Sequence, residues 1–400
     1  MIMNKQYYTD YGLIRTNRSY KTILCIVSLF FLFFPTGLFL FFPSLSNYYR
    51  AVQFLGLFFV LLYILVSVKE ISINKGIVLS ILILLVELLS TTISGGSIFK
   101  ALYEGIRLVG VLWIVSNEIK RNAFGFYDRL KMCLYIIGIA NVLFSFYWYE
   151  NNTSLFGLNG EFPNYAIPVI AIVALDYNKK GTIEKFVFSL FVIVNAYCML
   201  FLIDSSTAKV GVVVLSMLFI FDRFTNKVSP TILLYVYLGL VLAIVVFRIT
   251  NSFGFVIEDV LGESITLHKR TIAWDYAFEL IGAAPILGYG FLGSEYQYSI
   301  VYKYTNGWFA HPHDEILRIF LIGGIISVIL VVCMMFYIVG RLRTCYSYKS
   351  IRIITYALFT MLIMSIVETC FNSFFYILIA FGLNSDLVIG IKDDNKLITN

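Results

Sequence analysis

Hydrophobic residues occupy 60% of the 400 positions and charged residues 14%, with a formal net charge of +6; so apolar a chain cannot cover a soluble surface, and the bilayer is its solvent. A helix needs roughly 20 apolar residues to cross about 30 Å of hydrocarbon, so about twelve spans fit within one domain of this length. Cys25, Cys133, Cys198, Cys333, Cys345 and Cys370 all fall in or beside predicted spans, which implies no disulfide framework.

The first apolar stretch, Tyr20 to Phe42, is longer than a signal-peptide core and lacks a small-residue cleavage site, so it reads as a retained helix. Apolar runs then predict spans near 20–42, 51–68, 77–93, 101–116, 131–149, 164–177, 184–203, 207–221, 230–248, 314–340, 353–370 and 373–390. With the N-terminus inside, most of the 30 Lys and Arg residues fall in cytoplasmic segments. Both termini are then cytoplasmic, and residues 249–313 form one large extracytoplasmic loop. The exceptions are Arg50, Lys100, Arg107, Lys209, Arg248, Lys269, Arg270, Lys303 and Arg318. A cation within a span costs about 2.5–3.5 kcal/mol on insertion scales, so each needs a partner or a role.

Lys100, Glu104 and Arg107 share a helical face, and Glu87 lies within the preceding span, the pattern of a structural intramembrane network. Glu368, near the outer end of the eleventh span, is predicted to face the bundle interior for the same reason. No inverted repeat with paired broken helices is evident, which weakens a transporter reading in which the buried cations line a glycan path.

All three histidines, His268, His311 and His313, fall in the outer segment. Leu267, Arg270, Trp274, Phe278 and Ile281 recur there at helical spacing while Thr271, Asp275 and Glu279 line another face, predicting a helix over 265–282 that lies flat at the membrane surface. A glycine-rich turn follows, Pro285-Ile286-Leu287-Gly288-Tyr289-Gly290-Phe291-Leu292-Gly293. Next comes His311-Pro312-His313-Asp314-Glu315-Ile316-Leu317-Arg318, where Arg318 shares a helical face with Asp314 and Glu315.

The stretch from His313 to Arg318, followed by Gly323-Gly324-Ile325-Ile326, resembles the signature in which a His-Asn pair opens a span of bacterial O-antigen polymerases and ligases, with Asp314 at the usual Asn position. Arg270, Trp274 and Pro285 through Gly290 are similar to the Arg, Trp and Pro-x-x-Gly-x-Gly pattern upstream of it. Weaker echoes are Phe162-Pro163-Asn164-Tyr165-Ala166 and Ser205-Ser206-Thr207; family members often carry Arg where Ser206 stands, and Lys209 one turn on supplies the alternative cation. The resemblance implies an all-α, polytopic, GT-C-like glycosyltransferase of the bacterial inner membrane with a partly helical periplasmic loop. It also implies undecaprenyl-pyrophosphate oligosaccharides as donor and acceptor, at a site facing the periplasm.

The residues themselves fit that chemistry. Departure of a glycosyl pyrophosphate needs permanent cations on the phosphate oxygens, and the acceptor hydroxyl needs a base. His313 and Arg270 are the expected catalytic residues; Lys209, Arg318, Arg107, His311, Asp314 and Glu315 are the expected substrate-binding residues. The bland alternatives are a helix-capping His313, an Arg270 drawn to lipid headgroups, a Lys209 paired with Asp204 or reaching for the interface, and an Arg318 held in a local ion pair. A metal site built from His311, His313 and Asp314 or Glu315 lacks further spaced ligands, so neither metal nor cofactor is expected. Trp274, Tyr289, Tyr296, Tyr298 and Trp308 are candidates for stacking on sugars. The expected partners are the lipid-linked glycans, the bilayer and a chain-length regulator, with no nucleic acid. An O-antigen polymerase of the Wzy type is favoured over the ligase of the same family, which would move the glycan to lipid A core.

Overall fold

The computed structural model describes residues 17–35, 37–70, 73–147, 153–203, 205–249, 270–291 and 312–393. Apart from an antiparallel pair of two-residue strands, Thr153–Ser154 and Gly157–Leu158, the regular structure among these residues is helical. In chain order the helices are α1 (Asn17–Leu32), α2 (Gly37–Phe41), α3 (Ser46–Ser67), α4 (Lys75–Ile93), α5 (Ile98–Tyr147), α6 (Phe162–Val173), α7 (Thr182–Tyr197), α8 (Ser206–Ile220), α9 (Asp222–Thr225), α10 (Pro230–Val241), α11 (Arg270–Ala283), α12 (Glu315–Thr344), α13 (Lys349–Met364), α14 (Ser373–Leu383) and α15 (Ser385–Asp393).

Among the described residues, five helices are long and apolar enough to cross a membrane: Tyr48–Ser67, Lys75–Ile93, Ile98–Tyr147, Thr182–Leu202 and Glu315–Thr344. Shorter apolar helices cover Tyr20–Leu32, Phe162–Tyr177, Ser206–Ile220, Pro230–Val246 and Ser373–Leu383. The spans expected near 101–116 and 131–149 are two arms of one kinked helix. Asn122 leaves helical geometry at φ −162° and ψ 82°, and its Oδ1 accepts from Gly125 N at 2.9 Å, capping the second arm. The span expected at 353–370 stops being helical after Met364, and the one expected at 373–390 is divided at Asn384.

A different break positions the site. Within α12, Gly324 takes φ 62° and ψ −165°, a conformation that L side chains rarely adopt. The carbonyls freed there are taken by the glycine-rich turn: Tyr289 N donates to Leu321 O at 2.7 Å and Gly290 N to Ile322 O at 2.9 Å, while Ile325 N donates to Pro285 O at 2.9 Å. From the other side Thr91 Oγ1, on α4, accepts from Phe291 N at 2.9 Å. The Pro285–Phe291 segment is therefore wedged between α4 and the broken helix, with its own backbone groups supplying the missing helical bonds. Just ahead of this wedge, α11 packs Trp274 and Ala277 into the main core, with Ala273 also fully buried. Ala273 and Ala277 allow the close approach, while Phe278 stays exposed.

Candidate functional site

Asp314 caps α12, its Oδ1 accepting from Leu317 N at 2.6 Å. The residue before it, His313, has φ 50°, a left-handed conformation uncommon outside glycine. Strain of this kind persists where the surroundings fix it, and three contacts fix it here. Trp274 Nε1 donates to Pro312 O at 2.8 Å, Glu315 N donates to Ser365 O at 2.9 Å, and the His313 imidazole lands on Glu368, with Nδ1 3.1 Å from Oε1 and 3.3 Å from Oε2.

Glu368 stands in the non-helical segment between α13 and α14, where the early end of α13 leaves Thr369 N free to donate to its Oε1 at 3.0 Å. Arg270, the first residue of α11, brings Nη2 to 3.6 Å from Glu368 Oε2. One carboxylate with 10% of its side-chain surface exposed thus lies between the predicted cation and the predicted base. A carboxylate oxygen facing a guanidinium accepts, so in this contact Nδ1 of His313 donates to Glu368. The arrangement can take a proton at Nε2 and stabilise the resulting imidazolium at Nδ1.

Further acids and cations lie around this trio. Glu315 is fully buried; its Oε2 accepts from Cys370 N at 2.9 Å and Phe371 N at 3.2 Å, and its Oε1 accepts from Arg318 Nε at 2.9 Å. Arg318 is also within electrostatic reach of Glu87, Glu104 and Tyr376, and Arg107 pairs with Glu104 at 3.3 Å while facing Tyr165 and Tyr376. The network expected from Glu87, Glu104 and Arg107 is therefore continuous with Arg318. Opening α6, Asn164 Nδ2 donates to Thr369 O at 3.0 Å and Asn164 Oδ1 accepts from Cys370 Sγ at 3.2 Å, which holds the Glu368 segment in place. Glu161, in the turn before α6, has its carboxyl pushed up to about 7 by burial and by the nearby Glu368 charge.

Of the residues singled out in the sequence, His313, Arg270, Asp314, Glu315 and Arg318 come together with Glu368. Arg107 joins through Glu104 and the tyrosines. Lys209, half-buried in the first turn of α8, is near Gly211, which packs on Met364 and Ile167. His268, Lys269, Tyr296, Tyr298, Lys303, Trp308 and His311 lie outside the described residues, as does Asp204. Two of the sugar-stacking candidates are otherwise engaged: Trp274 is fully buried, and the Tyr289 hydroxyl donates to Leu280 O at 2.9 Å. Glu368 and Glu161 were not among the expected site residues. The signal for Glu368 was its charge within an apolar run, which reads equally as an inward-facing structural acid.

The broken α12, the wedge and the His313 turn all lie in one continuous portion of the chain. Residues 188–332 match the O-antigen ligase family model. No curated protein and no solved structure gives a significant match. The family match bears out the resemblance to O-antigen polymerases and ligases, and it spans Lys209, Arg270, His313, Asp314, Glu315 and Arg318. That family implies glycosyl transfer on lipid-linked glycans in a membrane. Arg107, Glu161 and Glu368 lie outside the matched segment.

Asp314, where O-antigen ligase relatives carry Asn by the resemblance, precedes the spanning helix and is fully buried; its Oδ2 has no hydrogen-bond partner among the described residues. Burial pushes its carboxyl up to about 8. The folded protein therefore holds this proton between roughly pH 4 and pH 8 while the unfolded chain releases it, and stability falls as pH rises through that window. Asp314→Asn removes the titration. The expected result is an unfolding free energy in detergent that gains on the wild type as pH rises from 5 to 8, by up to about 1.4 kcal/mol per pH unit, read as a rising difference in thermal midpoint. Parallel pH profiles for the two proteins would refute a protonated Asp314.

Proposed function

We propose that the protein is an O-antigen polymerase that joins undecaprenyl-pyrophosphate-linked repeat units at the periplasmic face of the bacterial inner membrane. The observation that carries this reading is the Glu368 carboxylate bound at once to the His313 imidazole and close to the Arg270 guanidinium. In the proposed reaction, His313 Nε2 takes the proton of an acceptor sugar hydroxyl as its oxygen bonds to the anomeric carbon of the donor. The bond from that carbon to the pyrophosphate oxygen breaks, and undecaprenyl pyrophosphate leaves with the electron pair. A single displacement of this kind inverts the anomeric centre. Glu368 stabilises the imidazolium, and Arg270, with Lys209 and Arg318, neutralises the leaving pyrophosphate.

The second reading, transfer of the finished glycan to lipid A core, is favoured by the description of the matching family as O-antigen ligase. Both readings share donor and leaving group, so the acceptor decides between them. In a strain lacking the protein, loss of a polymerase leaves core bearing a single repeat, whereas loss of a ligase leaves core bearing none. Unchanged surface polysaccharide would remove both. Purified protein given defined undecaprenyl-pyrophosphate repeat units is expected to produce a ladder of longer glycans on a gel; movement of intact substrate across the bilayer without a ladder would favour a transporter.

A further inference from the structure

One outer cation has no part in the reaction proposed above, yet it is built into the same corner of the fold. Arg248 follows the last turn of the α10 segment, and its backbone is left-handed at φ 54°. With His313 it is one of two non-glycine residues with positive φ among the described residues. Its guanidinium carbon lies 4.9 Å from the centre of the Trp274 ring, and its Nη2 donates to Asp275 Oδ1 at 2.5 Å and Thr271 O at 3.3 Å. Nη1 is enclosed and has no hydrogen-bond acceptor among the described residues. An enclosed donor on a permanent cation is costly when unpaired, and a strained backbone adds to the cost of holding it there.

Its surroundings tie this guanidinium to the site. Trp274 lies one helical turn after Arg270, and the Trp274 ring that stacks on Arg248 also donates to the carbonyl immediately before His313. Thr271, Trp274 and Asp275 hold Arg248 along the same face of α11 that begins with Arg270. Asp275 is 70% exposed, so the partner on Nη2 is open to exchange with a ligand arriving from outside the bundle. A carboxylate in contact with solvent and a stacked, incompletely paired guanidinium are together the resting form of an anion site, in which one acceptor stands in for a better one.

Resting on the reading of Arg270 and His313 as a pyrophosphate-transfer site, we infer that Arg248 is a further guanidinium for the donor, taking a phosphoryl oxygen of the lipid-linked pyrophosphate in exchange for Asp275. Stacking on Trp274 keeps the fork rigid, and Nη1 gains an acceptor that no described residue supplies. Arg270 then holds the oxygen that leaves, and Arg248 holds the donor in place before it does.

The test uses the purified full-length protein in phosphatidylcholine nanodiscs, titrated with undecaprenyl pyrophosphate and, separately, with inorganic pyrophosphate. Binding is read as a shift of the thermal midpoint, and turnover is read on the glycan gel. Arg248→Gln is expected to weaken pyrophosphate binding about 10-fold or more, the loss of one charge-assisted hydrogen bond, and to raise the donor KM while kcat changes little. Arg248→Lys should recover part of the loss, and Asp275→Asn, which frees the guanidinium, should bind pyrophosphate more tightly than wild type. Asp275→Asn keeps the test decisive where Arg248→Gln fails to fold. Unchanged pyrophosphate affinity in Arg248→Gln, a fall in kcat at constant KM, or weaker binding in Asp275→Asn would overturn the inference. So would equal stabilisation by phosphatidylglycerol nanodiscs without added pyrophosphate, which would assign the site to lipid headgroups. Arg248-dependent pyrophosphate binding in a protein that makes no ladder would support this site while removing the polymerase reading.

Discussion

His313→Ala is expected to slow glycan extension by roughly 10²–10⁴-fold, the range for removing a positioned general base, with the protein still accumulating in the membrane. Alanine alone is an imperfect test, because His313 also supplies a left-handed turn and a donor to Glu368. His313→Asn separates these roles. Asparagine tolerates the left-handed backbone and its amide can donate to the carboxylate, but it offers no nitrogen that accepts a proton. Both variants are expected to be equally slow, and His313→Asn is expected to be nearly as stable as the wild type. Glu368→Gln should lose about 10²-fold in rate, since a neutral amide neither stabilises an imidazolium nor pairs with Arg270. Extension rates on purified protein, set against thermal midpoints, check all three. Wild-type extension by His313→Asn would mean that the imidazole only shapes the turn.

How much of this was legible in the sequence depended on whether a residue's meaning was local. The pairing of Glu315 with Arg318 and the tight backbone at the glycines of the turn follow from short spacing and intrinsic backbone preference and were readable in one dimension, whereas the helix cap read as an alternative role for His313 is made by Asp314. Glu368 was not. It meets His313 at a sequence separation of 55 residues because α13 ends early and Glu315 and Asn164 hold the following segment. Hydropathy places an acid in an apolar run without saying where the helix stops. The same limit explains the division of the last span at Asn384, a polar residue inside an apolar stretch whose side chain satisfies a backbone group and so permits a break.

Gly290→Ala and Gly324→Ala are expected to prevent accumulation of folded protein, and the reason lies in the wedge at the break of α12. Gly290 has φ 66°, and a Cβ there would meet the backbone of Thr91 on α4; Gly324 has φ 62°, and its Cβ would meet the backbone of Ile286 and Leu287. Neither neighbour is a flexible side chain that can turn aside. A left-handed alanine costs about 1–2 kcal/mol and overpacking against fixed atoms about 1–3 kcal/mol more, a large part of a typical stability. The damage would also reach the chemistry, because the turn that fills the break follows α11, which carries Arg270, and is hydrogen-bonded to the helix that carries Arg318. Gly239 and Gly340 supply the comparison. They lie in α10 and α12, and a Cβ at either meets nothing within 4 Å. There the same substitution should stabilise the helix by about 0.5–1 kcal/mol, since alanine loses less backbone entropy. Quantitative immunoblots of membranes and thermal midpoints in detergent will show opposite signs for the two pairs if the wedge is as described. Normal accumulation of Gly324→Ala would mean that α12 can run unbroken, and that the Pro285–Phe291 turn is not held in its gap.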